Sequence, residues 1–117
     1  MKRFTDTDIW TKNLWFRKLS KENKLLWFFI KDNCDSVGVW EIDIEFAEML
    51  TGCKYNLEQI LTDFKKQVIA FKDNRKIWIK DFCNFQYEKI SRLYCKHVWF
   101  RLLVYRLQTN LFLLVDY

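Results

Sequence analysis

An α+β, mostly helical fold with the order helix, strand, helix, helix, β-hairpin is what this sequence predicts, on three observations. Residues suited to starting or ending helices stand at Ser20, Asp43, Gly52 and Asn56. The apolar residues between them recur at helical spacing. Near residue 70 the pattern changes to two short runs, rich in β-branched and aromatic residues, that meet at the charged tip Lys72-Asp73-Asn74-Arg75-Lys76. With 117 residues, 2 Gly and no Pro, the chain has the length of one domain and few places for a linker.

Taken in order, Ser20 precedes KENKLLWFFIKDN, and its hydroxyl is suited to accept a backbone N–H from the first turn of a helix over about residues 20–33. SVGVWEID reads as a short strand, because Gly38 breaks the helix and Val39, Trp40 and Ile42 favour extended backbone. Asp43 caps a second helix, IEFAEML, which Gly52 terminates. Asn56 caps a third, LEQILTDFKKQ, in which Leu57, Ile60, Leu61 and Phe64 form a buried stripe while Gln59, Thr62 and Lys66 occupy the opposite face. In the hairpin that follows, Asp73-Asn74 tolerates the positive φ of a tight turn. This is the element order of a winged helix-turn-helix domain, in which the third helix enters the major groove and the hairpin tip approaches the phosphates.

The 22 aromatic residues implied by 11 Phe, 6 Trp and 5 Tyr indicate an ordered core. Trp27, Phe28, Phe29, Trp40, Phe46, Phe64 and Trp78 are its expected members. Trp10, Trp15 and Phe16 lie outside the regular elements and either cover an edge of the domain or pack against a second copy. From Leu93 to Leu107 a helix would be apolar nearly all round, with Trp99 on the same side as Arg92, Lys96 and Arg106, and would need burial on more than one face. Residues 1–90 are therefore read as the winged-helix domain and 91–117 as an added C-terminal helix and tail. A homodimer or larger assembly through Trp10, Trp15, Trp99 and Leu103 is expected.

Charge is uneven along the chain. The formal net charge is +5, but residues 1–25 carry seven basic against three acidic groups, 31–60 two against seven, and 61–80 six against two. Clustered cations favour phosphate, because neutralised phosphates release counterions. Lys65, Lys66, Lys72, Arg75 and Lys76 are expected to form a basic ledge from the end of the third helix to the wing, with Gln59 and Thr62 beside it. Glu45, Glu48 and Glu58 are acidic where a conventional helix-turn-helix approaches the backbone, so modest, salt-sensitive affinity with little base readout is expected.

Other function classes find little support. His97 is the single histidine, no Gly-rich phosphate loop or nucleophile elbow is present, and the pair Glu45/Glu48 falls on a solvated helix face, so no enzyme is expected. Cys95 and His97 are close in sequence, but Cys34, Cys53 and Cys83 lack metal-ligand spacing, so neither metal nor other cofactor is expected. The N-terminus has no signal-peptide core, and Arg101 and Arg106 interrupt the apolar stretch Val98–Val115, each costing roughly 2.5 kcal/mol or more at a bilayer centre. A cytoplasmic protein with free thiols and no membrane partner is expected.

Three stretches, FTDTDIW, LWFRKLSKENKLLWFFIKDNCDSVGVWEID and IWIKDFCNFQY, resemble the N-terminal winged-helix domain of phage and prophage replication proteins, the replisome organisers and their DnaD-like relatives. The likeness spans roughly residues 4–90. Its most specific parts are Trp-Phe-Arg-Lys-Leu-Ser, Asp-x-x-Gly-Val-Trp-Glu and Asp-Phe-x-x-Phe-Gln-Tyr, although Glu88 stands where relatives tend to have glycine. The resemblance implies binding of double-stranded DNA at a replication origin and assembly with other copies or with helicase-loading proteins. The alternative within it is a protein-interaction module that does not bind DNA itself.

Overall fold

A computed structural model describes residues 2–87, and they form an α+β structure with a three-stranded antiparallel sheet. In chain order the elements are α1 (Ile9–Lys12), α2 (Leu14–Arg17), α3 (Lys21–Asn33), β1 (Val39–Glu41), α4 (Ile44–Thr51), α5 (Leu57–Asp63), β2 (Val68–Ala70), β3 (Lys76–Ile79) and α6 (Phe82–Tyr87). They fall into two compact units. Among the described residues, the first joins 2–33 with Asp43–Lys66, and the second joins Cys34–Ile42 with 67–87.

The first unit is helical. Ser20 Oγ accepts from Asn23 N at 3.2 Å, Asp43 from Phe46 N at 3.1 Å and Asn56 from Gln59 N at 3.1 Å, so each side chain satisfies a donor that its helix leaves unpaired. Gly52 ends α4 with φ +74. The core forms around α3, whose consecutive residues Trp27 and Phe28 serve two aromatic clusters. Trp27 meets Trp15 and Phe64 at centroid distances of 5.1 and 5.7 Å, and Phe28 meets Trp10 and Phe16 at 5.9 and 5.5 Å. Such pairs contribute on the order of 1 kcal/mol each beyond the area they bury.

Several expectations for this unit are corrected. The N-terminal segment is regular: α1 and α2 are single helical turns, and they bury Ile9 and Phe16, the latter completely. Phe46 is 44 % exposed rather than in the core, because α4 turns Ala47 inward and leaves Phe46 only an edge contact with Phe29. The third helix is shorter than its pattern suggested, since α5 ends at Asp63 with Phe64 as its C-cap. Gln67 already accepts from Lys80 N at 3.1 Å as the chain enters β2, so the helix cannot run through it.

The second unit is built on the sheet, with strand order β1-β3-β2. Val39 and Trp40 of β1 stand opposite Trp78 and Ile77, while Ile69 and Ala70 of β2 stand opposite the same two residues from the other side. Ile77, Trp78 and Ile79 are all buried, and the Trp78 indole donates to Val37 O at 2.9 Å. Asp35 organises the approach to β1: its Oδ1 accepts from Val37 N and Val39 N, both at 3.0 Å. Gly38 follows at φ +91, and a Cβ there would lie 2.5 Å from Phe82 Cβ. A residue with a side chain would meet both backbone strain and a clash with α6.

The two glycines give a paired prediction. Gly38→Ala should lower the unfolding free energy by about 2 kcal/mol or more. Gly52→Ala has the same hand of backbone but open space around it, and should cost about 1 kcal/mol. Urea titration of the two variants checks the order, and equal losses would contradict the Phe82 contact.

Candidate nucleic-acid interface

The hairpin tip is the best-defined cationic feature of the second unit. Asn74 takes φ +56 and donates its N–H to Phe71 O at 2.9 Å, closing the turn. Asn is among the residues that adopt this conformation at low cost. Asp73, the acid at the tip, accepts from Arg75 N at 3.0 Å. Arg75 O in turn accepts from Ile42 N at 2.8 Å, which ties the tip to the chain leaving β1. Lys72 and Arg75 are exposed, and neither has a carboxylate partner among the described residues. Lys76 differs: it is half-buried within β3 and stands across from Glu41 in the strand register. The opposite charge facing Lys76 offsets it, which nothing among the described residues does for Lys72 or Arg75.

The other predicted contacts lie in the first unit. Lys65 and Lys66 are exposed in the turn after α5, not on the helix itself. Gln59 and Thr62 are exposed on α5 as expected, yet both are engaged: Gln59 Nε2 donates to Asp63 Oδ1 at 2.8 Å, and Thr62 Oγ1 donates to Glu58 O at 3.0 Å. Their remaining hydrogen-bonding capacity is directed by those contacts. Glu48, expected on a solvated face, is half-buried and accepts from Tyr55 N at 2.9 Å.

Beside α5 lies a groove of about 930 Å³, with Trp15, Leu19 and Ile60 among its apolar lining residues and Lys18, Lys54 and Lys66 among its cations. Asp63 is the hub of this groove. Its two carboxylate oxygens accept from Gln59 and from Asn23 Nδ2, each at 2.8 Å, and its carbonyl accepts from the Trp15 indole at 3.1 Å. Glu22 also lines the groove, and none of the three lysines has a carboxylate partner among the described residues. Lys18 and Lys54 escaped the sequence reading, since their neighbourhood arises from the approach of α2, α3 and the 52–56 loop to α5.

Of the expected interface residues, Trp10 is 58 % exposed, whereas Trp15 is half-buried among Trp27, Phe64 and the Asp63 carbonyl. Trp99, Leu103 and the expected C-terminal helix lie outside the described residues, as do Cys95 and His97. Cys34, Cys53 and Cys83 are free thiols. Burial pushes the Cys83 thiol up to about 12, with Asp35 and Cys34 adding to the effect, so it stays protonated at neutral pH. Burial likewise pushes the Tyr55 hydroxyl up to about 12, and it donates to Glu22 O at 2.7 Å. Among the described residues no cluster of three or more His, Cys, Asp or Glu could hold a metal ion, and no helix is long and apolar enough to cross a membrane. Comparison with protein-family models, curated proteins and solved structures finds no match.

Two stability predictions follow from the groove. Asp63→Ala, which strands the Asn23 and Gln59 amides, should cost about 1.5–3 kcal/mol in urea unfolding, and a cost below a few tenths would contradict its role as hub. The raised Tyr55 pKa, which makes the hydroxyl a weaker acid in the folded state, favours folding while that group is neutral. This contribution is full below pH 10.0, the ordinary tyrosine value, and is lost as pH rises towards about 12. Tyr55→Phe should therefore flatten the alkaline decline in stability, and an unchanged slope would contradict the assignment.

Proposed function

We propose that this chain is a winged helix-turn-helix module that binds double-stranded DNA through its phosphates, in the cytoplasm, as part of phage-type replication initiation. The observation that carries the reading is the hairpin tip, where exposed Lys72 and Arg75 have no carboxylate partner among the described residues while Asp73 accepts from the Arg75 N–H. The β1-β3-β2 sheet order and the sequence helix, strand, helix, helix, hairpin agree with the winged-helix reading. So does the resemblance to the replisome organisers. The residues carrying that resemblance include Asp35, Gly38 and Phe82, whose work is structural, so they support the fold more directly than the DNA contact.

Each unit brings phosphate contacts of its own: Lys72 and Arg75, with Lys76 secondary, in the second, and Lys65 and Lys66 in the first. Gln59 and Thr62, already engaged on α5, contribute positioning rather than base readout. Affinity then comes from counterion release and varies little with DNA sequence.

A second reading is favoured by one specific observation. Phe46, Met49 and Leu50 of α4 are 44 %, 69 % and 57 % exposed, an apolar face that suits a protein-interaction module joining further copies of the chain or a helicase-loading protein.

The experiment is a duplex titration by fluorescence anisotropy at about 50 and 200 mM salt. Affinity should fall steeply with salt, and Lys66→Glu and Arg75→Glu should each weaken binding on all duplex sequences and reduce the logarithmic salt slope by about 1. Absence of binding at the lower salt would overturn the DNA reading, and unchanged assembly in the same variants would be expected from the interaction reading.

A further inference from the structure

We propose that Trp10, with Phe28 beneath it and Lys24 and Lys31 beside it, is a stacking platform for a single-stranded polynucleotide. The Trp10 ring lies 5.9 Å from Phe28 at an interplanar angle of 29°, and 5.2 Å from Phe16 at 89°. Phe16 is fully buried and Phe28 half-buried, so the indole is held from the side by a core ring and from below by a ring partly sunk into α3's packing. Trp10 nonetheless remains 58 % exposed. An aromatic plane fixed in orientation and open to solvent can take a base without first being ordered, which removes part of the entropic cost of binding.

The cations belong to the same cluster. Lys24, Phe28 and Lys31 follow one another at i, i+4 and i+7 along α3 and so share a face. Lys24 Nζ lies 5.9 Å from the Phe16 centroid, and Lys31 Nζ lies 4.8 Å from that of Phe28. Attraction to the ring faces holds both ammonium groups close to the stacked pair. Asp8, the N-cap of α1, is 3.5 Å from Lys12, which offsets its charge.

This combination favours a polynucleotide over a protein partner. The centres of protein interfaces are enriched in Trp but depleted in Lys, whereas proteins that hold single strands set aromatic rings among cations. Every base presents a π face, so such a site tolerates any sequence. Bases in a duplex are already stacked on one another and are unavailable to Trp10. The platform is therefore separate from the duplex contacts proposed above and does not depend on them.

Fluorescence anisotropy of labelled oligo(dT), with the full chain, tests it. The wild-type chain should bind at low salt, and Trp10→Ala should weaken binding by about 10- to 100-fold while leaving duplex affinity unchanged. Trp10→Phe keeps a ring and should retain most of the affinity, and Lys24→Glu and Lys31→Glu should each weaken binding and reduce its salt dependence. Failure of the wild-type chain to bind oligo(dT), wild-type affinity in Trp10→Ala, or equal loss in Trp10→Ala and Trp10→Phe would overturn the platform. So would a change in sedimentation of Trp10→Ala with oligo(dT) affinity intact, which would assign the face to contact between copies. Loss of duplex binding alone, in the Arg75 variant, bears only on the duplex reading.

Discussion

The middle position of β3 is the constraint on which the hairpin tip depends. A strand paired on both edges has its register fixed twice, and here the same residues, Ile77 and Trp78, face β1 on one side and β2 on the other. A slip by one residue would turn the strand's side chains over, forcing Trp78 into a space that holds the smaller Ile77 or Ile79 and breaking its indole bond to Val37 O. The tip is thus held by its flanking strands, by the Ile42–Arg75 hydrogen bond and by the left-handed Asn74. Lys72 and Arg75 are consequently presented on an ordered turn, so fewer backbone degrees of freedom are lost when they meet an anion.

The helical unit solves a different problem, which is to place polar groups beside large aromatic rings. α3 does so by giving Trp27 to one ring cluster and Phe28 to the other. Between α3 and α5, Asp63 gathers two amides and an indole, and Lys18, Lys54 and Lys66 have no carboxylate partner among the described residues.

What could be read from the sequence was local. Ser20, Asp43 and Asn56 cap their helices because a cap needs only its own first turn, and Gly52 and Asn74 take left-handed backbone where turns require it. The extent of α5 was not legible, because Phe64, Lys65 and Lys66 continue the helical pattern while the sheet bond at Gln67 that stops the helix is distant in sequence. Phe46 misled for a related reason: periodicity marks an apolar side chain but does not reveal that Ala47, one position on, is the residue α3 leaves room for. The burial of Phe16 was hidden because α1 and α2 are too short to show any period. Of the candidate interface, the charges at the tip were visible, but Glu41 opposite Lys76 and the lysine-lined groove arise only from tertiary contacts.

The proposed function requires the cations of an ordered hairpin tip to meet a phosphate backbone. Backbone amide resonances followed by NMR during titration with a short duplex at low salt would test this directly. Shifts that begin at Lys72–Arg75 and at Lys65–Lys66, and that return on raising the salt, are the predicted result. Saturating shifts that leave Lys72–Arg75 unmoved, or no shifts at all, would contradict it.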